Sequence, residues 1–252
     1  MSQTYVCCFD LHYPRHHKPT WNAIIDFTKK FKPAGFIFGG DQFDNESISH
    51  HSKNKPILWK EGSYKSETTG FDKEILKPIE AALPKTALRR WHIGNHDDWE
   101  HEWVEQNPQW AGFERPELLQ LTERNWEVIP DVQPSKLGRL TVIHGDQFAG
   151  YAPANLAKRA VEAYTCSVLQ GHNHTMQTYT RVSPVDHTQK WAGYVSPCAC
   201  NLNAAFMKNR PSSWVNGFTI VETMPNGAFN VYPVVVTNGR FSFGGRIYGK
   251  AK

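Results

Sequence analysis

The stretch Gly35-Phe36-Ile37-Phe38-Gly39-Gly40-Asp41-Gln42-Phe43-Asp44 passes from an apolar run through two glycines to two carboxylates. A short apolar run closed by glycine reads as a strand covered on both faces, as in a parallel sheet. Four more stretches repeat the pattern: TYVCCFD (4–10), RRWHIGN (89–95), LTVIHGD (140–146) and TCSVLQG (165–171). Each leads to residues that can bind a metal.

Helical spacing fills the gaps. Residues 20–31 place Trp21, Ile24, Ile25, Phe27 and Phe31 on one side, and 71–82 do the same with Phe71, Ile75, Leu76 and Ile79 before Pro84. Further helices are predicted at 98–106, 115–124 and 153–163. From 191 onward, WAGYVS, WVNGFTIVET and FNVYPVVVT read as strands divided by turns such as Pro225-Asn226-Gly227. The expectation is one domain over 1–236 with a polar insertion near 44–70. A basic, flexible or surface-laid tail is expected at 237–252.

Composition narrows the class. The 252 residues are 40% hydrophobic, 13% aromatic and 21% charged, a globular profile that excludes disordered and fibrous chains. No uncharged apolar run approaches the roughly 20 residues needed to cross a bilayer, and no basic segment precedes an apolar one at the start. An intracellular, cytoplasmic protein with no membrane partner is expected. The 5 cysteines, Cys7, Cys8, Cys166, Cys198 and Cys200, suit reduced thiols. Cys198-Ala199-Cys200 lacks a second Cys or His pair at zinc-finger spacing, so a structural role is the plainer reading. The formal charge of +4 is carried by Arg240, Arg246, Lys250 and Lys252 at the end, which leaves the remainder neutral. That argues against a broad basic surface for duplex DNA.

The five strand ends carry the chemistry. They offer Asp10 and His12; Asp41 and Asp44; Asn95, His96, Asp97 and Asp98; His144 and Asp146; and His172 and His174. Ligand sites gather beyond the carboxyl ends of strands in open α/β sheets, so these ends can converge. Asp10 and His12, and likewise His172 and His174, would share a side if their segments are extended. A nitrogen and oxygen donor set without cysteine suits manganese, iron, zinc, nickel or cobalt.

Taken in order, Asp10-Leu11-His12, Gly40-Asp41-Gln42-Phe43-Asp44, Gly94-Asn95-His96-Asp97, His144-Gly145-Asp146 and Gly171-His172-Asn173-His174 resemble the five blocks of the calcineurin-like metallophosphoesterases. The resemblance spans about residues 5–175. It implies an α/β fold, a sandwich of two mixed β-sheets flanked by helices (α/β/β/α). It also implies two divalent metal ions, manganese first, with iron, zinc, nickel, cobalt or magnesium as alternatives. Asp10, His12 and His174 would bind one, Asn95, His144 and His172 the other, and Asp41 would bridge them. His96 resembles the histidine that protonates the leaving group, and Asp44 the carboxylate that orients it. The implied reaction is phosphoester hydrolysis through a metal-bridging hydroxide.

Substrate choice rests on fewer residues. Phosphatases of this family place an arginine after the second block, where this chain has Asn45, which favours a phosphodiester of a nucleotide or nucleic acid over a monoester. A phosphomonoesterase and a noncatalytic metal-binding scaffold are the alternatives. His16-His17 and His50-His51 are candidates for the pocket rim. Trp91, Trp99, Trp103 and Trp110 are candidates for base stacking or for packing. The sequence does not give an oligomeric state.

Overall fold

The computed structural model describes residues 1–49, 63–148, 153–203 and 212–250. The pair His50-His51 and much of the predicted insertion lie outside them. Strands β1 (Gln3–Cys8), β2 (Gly35–Phe38), β3 (Leu88–His92) and β4 (Glu127–Ile129) pair side by side and parallel. A second sheet follows from β5 (Ser135–Leu137), β6 (Leu140–Val142), β7 (Val168–Gln170), β8 (Gln177–Val182) and β9 (Lys190–Val195), in the order β5-β6-β7-β9-β8. Its inner pairs β6–β7 and β7–β9 are parallel and its outer pairs antiparallel. The chain then returns to the first sheet with β10 (Gly217–Thr223) and β11 (Phe229–Val235), antiparallel on the free side of β1. Both sheets are therefore mixed.

Side-chain alternation explains how the layers stack. Along β1 and the residue after it, Cys7 and Phe9 point one way, joining Ile37, Leu137, Leu140, Val142, Leu169 and Val221 between the sheets. Val6 and Cys8 point the other way, into a core with Phe36, Phe38, Trp21, Ile24, Phe27 and Phe71. Ile143, Val168 and Val195 of the second sheet meet Leu156, Ala157 and Ala160 of a helix on its outer face. The order helix, sheet, sheet, helix agrees with the expected α/β/β/α sandwich.

The helices are α1 (Lys18–Phe31), α2 (Tyr64–Phe71), α3 (Lys77–Ala82), α4 (Asn95–Gln106), α5 (Arg115–Leu118) and α6 (Leu156–Tyr164). Several differ from their predicted spans. The single helix expected at 71–82 begins earlier, with Ser63 capping α2, and passes through a π-helical stretch (Asp72–Leu76) into α3. Pro78 explains part of this, since it has no N–H to offer the Glu74 carbonyl, which accepts from Trp21 Nε1 at 3.2 Å instead. Helix α4 starts at Asn95 rather than 98, which puts the third block in its first turn. The helix expected at 115–124 stops at Leu118, and Gln120 turns left-handed at φ 53°.

The described part of the expected tail, 237–250, is where expectation and structure part most. Strands β12 (Arg240–Phe243) and β13 (Arg246–Gly249) form a hairpin turned by Gly244-Gly245, both at positive φ. Such a two-residue turn demands positive φ twice, which glycine supplies without strain. Phe241 and Tyr248 are buried against Phe27, so this basic segment is a packed part of the core.

Candidate metal centre

The five motif blocks follow β1, β2, β3, β6 and β7, none of which is a sheet edge. Their side chains meet at one end of the sandwich. Asp10, His12 and His174 form one group with donor atoms within 4.8 Å of one another; Asp41, His144 and His172 form another, and His12, Asp41 and His96 a third. Asp41 joins the groups, since its Oδ2 lies 3.7 Å from His12 Nε2 and 3.3 Å from His144 Nε2. Asn95 Oδ1 sits 3.2 Å from the same His144 nitrogen.

The backbone that delivers them is not extended. Asp10, His12, Asp41, His172 and His174 all have φ between 50° and 66°. The pairs Asp10/His12 and His172/His174 therefore reach the site through left-handed turns rather than strand alternation. A left-handed residue other than glycine costs about 1–2 kcal/mol, and such strain gathers at functional sites. Glycines allow the close approach. A Cβ on Gly94 would lie 2.4 Å from the Asp41 amide and carboxylate, and one on Gly40 (φ 106°) would lie 2.3 Å from His144 Nδ1.

Hydrogen bonds aim the imidazoles. His144 Nδ1 donates to the Gly39 carbonyl at 3.1 Å, and His12 Nδ1 donates to the Asp44 carboxylate at 3.1 Å, so each turns Nε2 toward Asp41. The Asp44 carboxylate lies 3.8 Å from His96 Nδ1, an ion-pair distance. The same carboxylate meets His12 and Arg15, and His96 Nδ1 meets the Asp44 carbonyl at 3.0 Å. The Asp97 carboxylate accepts from the amides of Gly94, Gln42 and Phe43, which fastens the second block to the third.

Electrostatics show what the site demands. Burial works to raise Asp41, but His144, His96 and His12 outweigh it and hold its carboxyl well below the usual range. Burial disfavours charge on His12 and His144, yet Asp44 and Asp41 overcome it and raise them to about 9 and about 10. Burial lowers His172 to about 4 and His174 well below its ordinary value. The buried carboxylates thus call for positive charge, which divalent cations would supply. Two further observations fit cations: His172 Nδ1 is buried with no hydrogen-bond partner among the described residues, and the Nε2 atoms of His12 and His174 face each other at 3.2 Å. The residues present suit the implied metal ions.

A pocket of about 110 Å³ opens over these residues, lined also by Arg15, Cys200, Asn201 and Trp214. Sequence reasoning did not place these four at the site. Arg15 binds Glu46 at 2.6 Å and Asp44 at 3.3 Å, and Trp214 packs edge-on to His174 at 4.2 Å. Asn45 faces away from the pocket, accepting from the buried guanidinium of Arg115 and donating to the His96 carbonyl. Of the candidate tryptophans, Trp99 packs on His96 at 4.1 Å, Trp91 is buried core, and Trp103 pairs with exposed Trp110. His16 stacks on Tyr13 and does not line the pocket.

Among the described residues, no helix is long and apolar enough to cross a membrane. No protein-family model and no curated protein matches the chain. Among solved structures it is similar to Vacuolar Protein Sorting 29 from Cryptosporidium parvum, at 10% identity and TM-score 0.49 over 99% of each chain. It is also similar to Vps29 from Entamoeba histolytica complexed with zinc, at 10% identity and TM-score 0.49 over 95% of this chain and 96% of that one. Pseudomonas putida nuclease MPE matches at 12% identity and TM-score 0.39, over 91% and 86%. The chain has the α/β/β/α architecture of the calcineurin-like metallophosphoesterases that its motifs resemble, with all five blocks gathered at one end of the sandwich.

Proposed function

We propose that this protein is a metal-dependent phosphoesterase that hydrolyses a phosphodiester of a nucleotide or nucleic acid, with manganese the first choice of cation. The observation that carries the reading is the convergence of Asp10, His12, Asp41, Asn95, His144, His172 and His174 from five strand ends, with His96 beside them. Two bound divalent cations would acidify a water and offset charge on the phosphate oxygens. Asp41, whose Oδ2 faces both histidine groups, suits the bridging position. His96, held through Nδ1 by the Asp44 carbonyl, keeps Nε2 for a proton delivered to the departing oxygen.

The charge of the pocket favours a diester. Arg15 is the arginine among its lining residues, and it already pairs with Asp44 and Glu46. Little uncompensated positive side-chain charge is left for the second negative charge of a monoester. Trp214, which lines the pocket, offers an indole on which a base would stack, and Trp99 packs on His96.

The test is to strip the purified protein with chelator, reload it with manganese, and compare bis-p-nitrophenyl phosphate with p-nitrophenyl phosphate. Faster turnover of the diester is expected. Hydrolysis of neither by the loaded protein would overturn the enzymatic reading, and preference for the monoester would overturn the choice of substrate.

A further inference from the structure

The Cys198-Ala199-Cys200 motif gains in the fold the third donor that it lacks in sequence. We propose that Cys198, Cys200 and Nδ1 of His174 form a separate site for a thiophilic divalent cation, on the opposite edge of the His174 ring from Asp10 and His12. The three donor atoms lie within 4.8 Å of one another and all three residues are buried. Cys200 Sγ is 3.7 Å from His174 Nδ1. A tetrahedral zinc with bonds of about 2.3 Å to sulfur and about 2.0 Å to nitrogen spaces those atoms roughly 3.5 Å apart. Cys200 and His174 are close to that spacing already, and Cys198 lies within 4.8 Å of both.

The backbone of the motif is fixed from several sides. The Ala199 amide donates to the carbonyls of Phe9 and Asp10, the Cys198 amide to Val215, and the Gly217 amide to Cys198. Asn216 Nδ2 donates to the Cys200 carbonyl at 2.7 Å. Cys200 also lines the pocket over the metal centre, which gives an ion a route in. Two sulfurs and one nitrogen select softer ions than the nitrogen and oxygen set next door. On binding, two S–H bonds break, two sulfur–metal bonds form, and both protons pass to solvent.

His174 couples the sites. A neutral imidazole that ligates through Nδ1 carries its proton on Nε2, and that nitrogen cannot then serve a cation held by Asp10 and His12. A thiophilic ion at the cysteines therefore displaces His174 from the first group and acts as an inhibitor of whatever that group does.

The test titrates the full chain, reduced and stripped of metal, with cadmium. Thiolate-to-cadmium charge-transfer absorption equivalent to one bound ion is expected, and a cadmium–sulfur shell in X-ray absorption spectra of the wild type. Cys198→Ser with Cys200→Ser should abolish the absorption, while Cys166→Ser should keep it. Asp41→Asn should also keep it, which separates this site from the phosphoesterase reading. Absence of both sulfur signals in the wild type, or absorption unchanged in the double serine variant, would overturn the proposal. The wild-type spectra decide the matter even if that variant fails to fold.

Discussion

Nδ1 of His12 lies 3.1 Å from a carboxylate oxygen of Asp44, whose other oxygen is 3.3 Å from Arg15. A carboxylate only accepts, so this contact puts the His12 proton on Nδ1 and frees Nε2 as a donor to a cation. Asp44→Ala should therefore weaken manganese binding by about 10–100-fold while the fold is retained. Titration calorimetry checks it, and unchanged affinity would remove Asp44 from the support of His12.

Gly94 is the floor on which Asp41 rests. An added Cβ would meet the Asp41 amide and carboxylate at 2.4 Å, so Gly94→Ala must push the carboxylate aside. A displacement on the order of 1 Å at a reacting centre costs about 100-fold in rate. That loss is expected in diester hydrolysis, with the far-ultraviolet circular dichroism unchanged. Activity within a factor of about 3 of wild type would mean that Asp41 does not need its present position.

The site was legible in sequence because each block sits at a strand end, and strand ends are marked by apolar runs that stop at glycine. What sequence could not give was how the chain turns there. Asp10 and His12 obey a spacing of two but reach the site through left-handed backbone, which alternation does not describe. Arg15 and Cys200 come to the pocket from loops with no periodic signal, and Trp214 opens a run read as a strand but lies ahead of β10, which starts at Gly217. The carboxy-terminal hairpin was written in its glycine pair and in Phe241 and Tyr248, but its charge drew the reading toward a tail. Strand β8 went unassigned because it lies at a sheet edge with little burial. Asn45 was read by what it lacks, whereas its partner Arg115 lies 70 residues further along the chain.

Arg115 is the buried tie behind the site. It is 1% exposed, bonds Glu67, Glu100, Thr68 and Asn45, and stacks on the rings of Phe43 and Tyr64. Arg115→Met would leave Glu67 and Glu100 as buried carboxylates without their counter-charge. Breaking a buried pair this way costs about 3–5 kcal/mol, and urea denaturation should register a loss of that order. A loss under about 1 kcal/mol would mean that the two acids find solvent or protons easily.

His92 should make the fold acid-sensitive. Burial, with help from Arg90, lowers it to about 3, while an unfolded histidine titrates near 6.5. Between those values the unfolded chain binds more protons, so stability is full above about 6.5 and falls as pH drops toward 3. At pH 5 the expected loss is about 2 kcal/mol from this group. His92→Gln, which can still reach Ser135, the partner of His92 Nε2 at 2.8 Å, should flatten that part of the profile. Urea melts in chelator at pH 7.5 and pH 5 test it, and an equal acid loss in the variant would assign the effect elsewhere.

His96 offers the sharpest separation between a proton donor and a residue that only packs. Its Nδ1 is engaged by the Asp44 carbonyl at 3.0 Å, and Trp99 covers its ring at 4.1 Å. A group that protonates the departing oxygen matters most when that oxygen is strongly basic. His96→Ala should then slow hydrolysis of a dialkyl or nucleoside diester by about 100–10,000-fold, the usual range for general acid catalysis. p-Nitrophenolate leaves readily without a proton, so its diester should suffer far less. Equal losses on both substrates would place His96 among the groups that position phosphate, and no loss on either would remove it from the reaction.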